Sequence, residues 1–446
     1  MTKKMLVLAL LVTALPSLIF SQSRSTLVLP RSSRFFHQPG DGVFHPSLIV
    51  KAGVPDDAPS GETPASIACI YGLVLPTPGC NIATSTANVV GGSGTIVIVD
   101  AFDYPQAEQD LATFSSQFGL PQCTSASGCF TVLYAGGTKP APDCGWAEEM
   151  AIDTQWAHAM APNANIVLVE AATSNNSDVY DAIAFANAYI ASLPNGTAEM
   201  SMSFGDVETQ QNVDEDFLFQ QPGVVYISSA GDFGAASNAY ILSYPATSPF
   251  VIAAGGTTIV RDPAGDFVKE TAWATDTHCN LDGSNCNLRG CSMNQLLNGQ
   301  CLGGGGGIST LEPIPSYQSV VSNIVGSYRG TPDFSADADP DSGVSVYDSF
   351  SCQGYVGWQV FGGTSVSAPL LAGIINTAGN FRSSTADELT PLYNSLSDPK
   401  YYRSIFRDIK RLKDGQFKAV QGYDLATGLG APQGQEALDV LFFKWF

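Results

Sequence analysis

The sequence predicts an α/β fold, a doubly wound and mostly parallel sheet with helices on both faces. Short β-branched runs recur along the chain: Gly94–Asp100, Ala164–Glu170, Glu199–Gly205, Val224–Gly231 and Val251–Gly256. They are apolar without alternation, the pattern of strands covered on both sides. Between them stand stretches of helical period, Glu108–Phe118, Glu148–Met160 and Val179–Ile190, with a shorter one at Asp214–Gln220. Finally, 44 glycines and 27 prolines in 446 residues supply many tight turns between buried strands. In such a sheet the working residues are expected at the carboxyl ends of strands.

From the beginning of the chain, residues 1–21 read as a secretory signal: Lys3 and Lys4 precede an apolar stretch, Met5–Phe20. That stretch is too short to span a bilayer, and no later run reaches the length needed. The signal holds no cysteine, which argues against a lipid anchor. Residues 22–62 form a polar, Pro/Ser-rich, weakly periodic leader, and 63–446 read as one domain without repeats. The expectation is a secreted protein that works as a monomer and uses no membrane. The net charge of −21 excludes nucleic acid as a partner. It also suits work in acid, where protonation of surplus carboxylates limits the build-up of positive charge.

Ten cysteines in an exported chain predict disulfides. Cys123 and Cys129 could close a small loop. Cys279, Cys286, Cys291 and Cys301 crowd a polar insertion, with three possible pairings; Cys69, Cys80, Cys144 and Cys352 have no assigned partners. Zinc is disfavoured, because paired C-x-x-C units and suitably spaced histidines are missing.

The chemistry centres on Gly362-Gly-Thr-Ser-Val-Ser-Ala-Pro369, a turn that enters an apolar helix. Thr364 or Ser365 could cap that helix. A serine there sits at the positive helix end with its own N–H facing outward, suited to a developing oxyanion. A nucleophilic serine needs a base, and the four histidines, His37, His45, His158 and His278, lack a His-Gly-Thr-His context. The helix around Gly145–Asp153 offers Glu149 and Asp153 instead, four residues apart and therefore about 5–6 Å apart at Cβ on one face. Two such carboxyls share protons and hold one well above the ordinary range. Trp146, Met150, Ile152 and Trp156 make that helix apolar on most sides, which turns at least one acid inward. Asp232, in Ser228-Ser-Ala-Gly-Asp-Phe-Gly234 after a buried strand, is either a turn former or a protonated donor to an oxyanion.

Together, Glu149-x-x-x-Asp153, Ser-Ala-Gly-Asp232 and Gly-Thr-Ser365-x-Ser-Ala-Pro resemble the sedolisin family of serine-carboxyl peptidases. So do Tyr244–Thr257, Pro332–Pro340 and Gly422–Gly430, and the likeness covers about residues 63–440. The resemblance implies a subtilisin-like fold and an endopeptidase acting on protein or peptide substrates. It makes Ser365 the nucleophile and Glu149 its base and acid, with Asp153 sharing protons and Asp232 completing the oxyanion hole. Glu148 is a rival for the base, but its spacing from Asp153 fits the family less well. Substrate is expected to add a strand beside Ser203, Phe204 and Gly205, and beside the glycine run 303–307, where close main-chain approach is possible; a flexible loop is the other reading of that run.

The family also binds one calcium. Its pattern falls on Asp408, Ile409, Val420, Gly422 and Asp424, two carboxylates plus backbone carbonyls, all hard oxygen donors. Val420 stands where glycine is usual, and residues 410–418 are more basic than the pattern. Relatives carry a large folded prodomain, and 22–62 is too short for one. Two other readings stand beside the peptidase: a secreted peptide-binding protein without catalysis, and a subtilisin-type site built on Asp100 and His158.

Overall fold

The apolar runs are the strands of a central sheet. The structure, a computed structural model, describes residues 26–28, 42–235, 242–274, 302–352, 354–410, 413–414 and 417–433. Among these, an eight-stranded sheet runs in the order Phe267–Ala272, Val251–Arg261, Val224–Ser229, Ala198–Met202, Thr95–Ala101, Asn165–Ala171 and Phe130–Tyr134; Phe334–Asp337 also pairs with Val251–Arg261. All neighbours are parallel except Phe267–Ala272, which runs antiparallel to Val251–Arg261. Every residue of Thr95–Ala101 is buried, as an unalternating β-branched run requires.

Two helices bring the candidate site together. Cys144–Met160 starts where the Asp143 carboxylate accepts from the Gly145 and Trp146 N–H groups, earlier than its hydrophobic pattern suggests. The Cys144–Cys352 disulfide ties this start to strand Val344–Cys352. Thr364–Ala378 follows Gly363, whose φ of 97° only glycine adopts readily. The two helices pack against each other, Gly373 lying so close to Met160 that a Cβ there would stand 2.5 Å from the Met160 Cβ. Asn176–Ser192 packs on Thr95–Ala101 and Asn165–Ala171.

Three local expectations change. Glu199–Gly205 is two strands: Ala198–Met202 stays in the sheet, while Phe204–Val207 leaves it after Ser203 to pair with Ser243–Tyr244 and His45–Pro46. The region 210–220 is a four-residue helix, Gln210–Val213, followed by the 3-10 turn Asp216–Phe219. The glycine run is strand, Gly303–Pro313, pairing with Phe233–Ala235 and Tyr328–Thr331. A Cβ on Gly305 would stand 1.8 Å from the Ala230 carbonyl oxygen, so glycine is what lets these backbones meet.

Cys69 pairs with Cys80 and Cys123 with Cys129. Cys279, Cys286, Cys291 and Cys301 lie outside the described residues, as does the signal 1–21. No helix among the described residues is long and apolar enough to cross a membrane.

Candidate active site

Ser365 is the second residue of its helix rather than its cap, because Gly363 takes the N-cap position. Its Oγ donates to the Ser203 carbonyl at 3.0 Å. Its N–H points out of the helix and donates to the Ser47 carbonyl at 3.1 Å. Ser365 is fully buried.

Glu149 and Asp153 lie one turn apart on Cys144–Met160, and both are fully buried. Burial raises the Glu149 carboxyl well above its ordinary value; Asp153 and Asp100 raise it further, while the Ser365 hydroxyl opposes the shift. The hydroxyl therefore lies within reach of the Glu149 charge. It makes no well-aligned hydrogen bond to it, and both Glu149 oxygens lack a hydrogen-bond partner. Burial likewise raises Asp153, whose Oδ1 accepts from the Ser203 hydroxyl at 2.7 Å. Glu148 faces elsewhere: its nearest charges are Asp348 and Asp143.

Asp232 approaches from the end of strand Val224–Ser229. Its Oδ1 accepts from the Thr364 N–H at 2.7 Å and from the Thr364 hydroxyl at 2.8 Å. Thr364 Oγ1 accepts in turn from the Gly231 N–H, which locks the two turns together. Desolvation pushes the Asp232 carboxyl up to about 7. Asp232 Oδ2 and the Ser47 carbonyl oxygen lie 2.7 and 2.2 Å from the point where a Cβ on Gly363 would sit. The structure thus brings Ser365, Glu149, Asp153 and Asp232 around one buried point.

Asp100, the acid of the subtilisin-type alternative, belongs to the same group. It is the last residue but one of its strand, in register with Glu170, is raised by burial, and feels Asp153 and Glu170. His158 is not its partner there. That ring hydrogen-bonds the Pro121 carbonyl at 2.8 Å near Cys123 and Cys129. Those three residues bring possible ligand atoms within 4.8 Å, but the Cys123–Cys129 disulfide consumes both thiolates.

Ser203, Phe204 and Gly205, the expected substrate-binding edge, are buried, and Phe204 and Gly205 pair with Pro46 and His45. Ser203 does more than its backbone suggested, because its hydroxyl reaches Asp153 and its carbonyl holds the Ser365 hydroxyl. Sequence reasoning also missed Thr364 as the anchor of Asp232, and gave Asp100 a different role. An acid closing a β-branched run was the available signal for Asp100. None existed for Thr364, which is read only through its contact with a turn more than a hundred residues away.

The five calcium candidates come together from two segments, 408–409 and 420–424. Asp408 Oδ1 accepts from the Gly422 N–H at 3.0 Å, and Asp424 Oδ2 from the Val420 N–H at 2.9 Å. The Lys410 ammonium lies 2.8 Å from Asp408 Oδ2. Ile409 is buried, and the Tyr402 hydroxyl bonds both Asp408 and the Leu429 carbonyl. Two nearly buried carboxylates from adjoining segments suit a hard cation, provided Lys410, almost half exposed, swings away.

Known proteins resemble the chain in sequence and in fold. The model of the Subtilase family matches residues 137–391, more than half of the chain. Kumamolisin of Bacillus sp. (strain MN-32) is 27% identical over 409 residues, 86% of this chain and 64% of that protein. Sedolisin of Pseudomonas sp. (strain 101) is 30% identical over 262 residues, 54% of this chain and 39% of that protein. The matches thus span less than two thirds of these relatives. The solved structure of Pseudomonas sedolisin, a serine-carboxyl proteinase complexed with two molecules of pseudo-iodotyrostatin, superposes with a TM-score of 0.64 at 25% identity. It covers 86% of this chain and 98% of that one. The family model and these relatives together place the chain: it belongs to the subtilases, as a member of the sedolisin group.

Proposed function

We propose that the protein is a secreted serine-carboxyl endopeptidase that hydrolyses peptide bonds in acid through an ester on Ser365. The observation that carries this reading is the convergence of Ser365 with the buried carboxyls of Glu149 and Asp153, both raised above their ordinary range, and with Asp232. The related kumamolisin and sedolisin support it. The disulfides are in keeping with an oxidising compartment.

A substrate strand pairs with Phe204 and Gly205, which sets its carbonyl over Ser365. As Ser365 Oγ attacks, its proton passes to the carboxyl pair at Glu149; Asp153, held by the Ser203 hydroxyl, spreads the charge. The oxyanion receives the Ser365 N–H and a proton-bearing Asp232 Oδ2. Glu149 then protonates the leaving amine. Water cleaves the ester by the same steps in reverse. Asp232 must keep its proton, so activity falls as pH rises through about 7.

A peptide-binding protein without catalysis is the second reading. It draws on the Ser365 hydroxyl bonding the Ser203 carbonyl instead of Glu149. A serine-directed covalent probe at pH 4 separates the two. The peptidase is expected to label at Ser365 and to digest an unfolded protein at pH 3–5 and not at pH 8. Peptide binding with an unlabelled Ser365 and no digestion would establish the second reading.

We also infer one structural calcium, held by Asp408 and Asp424 with the carbonyls of Ile409, Val420 and Gly422. Its role is to neutralise two buried acids and pin the loop that carries Gly422–Gly430. Calcium at a hundred times its Kd is expected to add about 2.7 kcal/mol of stability. In a thermal melt this appears as a rise in Tm that Asp424→Asn abolishes. An equal rise with magnesium, or none, would refute the site.

A further inference from the structure

Two strands carry the edges at which substrate is expected, and both start at the catalytic groups. Phe204–Val207 follows Ser203, whose carbonyl holds the Ser365 hydroxyl. Gly303–Pro313 begins where the Gly303 N–H donates to the Asp232 carbonyl at 3.0 Å and the Gly305 N–H to the Gly231 carbonyl at 2.6 Å. Among the described residues the two strands belong to different sheets, so no shared ladder of main-chain bonds fixes their separation. Side chains at their far ends do that instead. Glu208, the residue after Phe204–Val207, accepts from the Ser309 hydroxyl at 2.6 Å and from the Thr310 N–H at 3.1 Å. Ser309 Oγ accepts in turn from the Glu312 N–H at 2.7 Å.

The second fastening is a pair of carboxyls. Glu312 lies on Gly303–Pro313, and Asp216 opens the 3-10 turn Asp216–Phe219 that follows the other strand. The two carboxyl groups are within hydrogen-bond reach of each other. The Tyr244 hydroxyl donates to Asp216 Oδ1 at 3.0 Å, and the Ser248 hydroxyl also bonds Asp216. Glu312 is buried, and its Oε1 has no hydrogen-bond partner.

Such a pair holds only while it has a proton to share. Glu208 faces both acids and opposes their charging. Tyr180, Tyr244 and Tyr317 face Asp216 from Asn176–Ser192, Ser243–Tyr244 and the turn Ser316–Val321. Arg329 eases the Glu312 charge, but its guanidinium is spent on Asp333, at 2.8 and 2.5 Å. Burial pushes Asp216 up to about 6; burial and then the Asp216 charge push Glu312 up to about 8. Both lie above the value near 4 of an unfolded chain. The pair's contribution is therefore complete in acid and is lost as pH climbs through 6 and then 8.

We infer that Asp216 and Glu312 are positioning residues, a proton-held clasp that sets the spacing of the two substrate edges and lets them part once both carboxyls are charged. That the edges take substrate rests on the peptidase reading above; the clasp itself does not. Its loss is distinct from that of Asp232, which gives up its proton near 7, before the pair gives up its last.

Amide hydrogen exchange, corrected for the intrinsic rate at each pH, is followed in segments 206–219 and 308–313 of the full chain between pH 5 and pH 9. Protection there is expected to fall at least about tenfold over the upper half of that range, while Thr95–Ala101 stays protected. Glu312→Gln and Asp216→Asn each keep a hydrogen bond and remove one charge, so both are expected to hold protection level. Asp214→Asn removes an exposed charge nearby without touching the pair, and is expected to follow the parent. In peptide hydrolysis at pH 4, Glu312→Ala is expected to raise KM about fivefold with kcat within about twofold, and Glu312→Gln to restore the parent's KM. Level protection in the parent, or amide variants that lose it as the parent does, would overturn the clasp and leave the peptidase reading standing. An unchanged KM in Glu312→Ala would overturn its positioning role. If exchange behaves as expected but the parent cuts no peptide, the peptidase reading fails and takes the positioning role with it.

Discussion

Replacing Ser365 by alanine is expected to lower peptide hydrolysis at pH 4 by about 10⁴-fold or more, with the fold intact. In the proposed mechanism this hydroxyl bonds the substrate, and it lies within reach of the Glu149 charge. Glu149→Gln is expected to cost about 10²–10⁴-fold, the usual worth of a positioned acid–base group, while preserving shape. The two losses should not add in the double variant, because serine without a base and base without a serine stop the same step. Glu148→Gln is the control. Its carboxyl lies with Asp348 and Asp143, so its loss should leave the rate within a few-fold of the parent. Single-turnover hydrolysis of an unfolded protein, with a thermal melt of each variant, decides the matter. A fully active Glu149→Gln would remove the acid pair from the mechanism.

The second large effect is on stability. Glu199, Asp232, Asp348 and Glu388 are buried, and desolvation pushes them up to about 8, 7, 7 and 7. In the unfolded chain such carboxyls titrate near 4. A group raised by folding binds its proton more tightly in the native state, so its stabilisation is complete below about pH 4. It is lost as pH climbs through 7 to 8. A tenfold gain in proton affinity is worth about 1.4 kcal/mol, so four groups raised this far rival the ~5–15 kcal/mol that holds a domain folded. Tm is therefore expected to fall by about 10 °C or more between pH 4.5 and pH 8. Glu199 isolates one share of the effect. Its Oε2 accepts from Asn376 at 2.7 Å, away from the catalytic groups, and Glu199→Gln should flatten the slope without touching cleavage. A Tm that rises across this range would overturn the argument.

Much of the site was legible because its parts are local. The spacing of Glu149 and Asp153 places them one turn apart whatever surrounds the helix, and a Gly-Gly-Thr-Ser turn before an apolar run makes a helix start. The sheet could be read for the same reason: unalternating runs such as Thr95–Ala101 have nowhere to go but a covered interior. Other features failed locally. Gly303–Gly307 carries no apolar signal at all, and becomes a strand only because Ala230 and Gly256 leave no room for side chains. Phe204–Val207 leaves the sheet because partners from residues 45 and 243 claim its edge.

Residue type and short spacing alone point to the proposed chemistry: a serine with no suitable histidine, paired acids on an apolar helix, an acid after a buried strand, and an acidic, cysteine-bearing chain. These are properties of residue type and short spacing, which folding cannot change. Only the tertiary structure decided which acid faces Ser365, what Thr364 and Ser203 hold, and where the leader goes. Each depends on groups more than forty residues apart meeting in a space from which water is excluded. There an unpaired charge or an unmade main-chain bond costs enough to choose one arrangement over the rest.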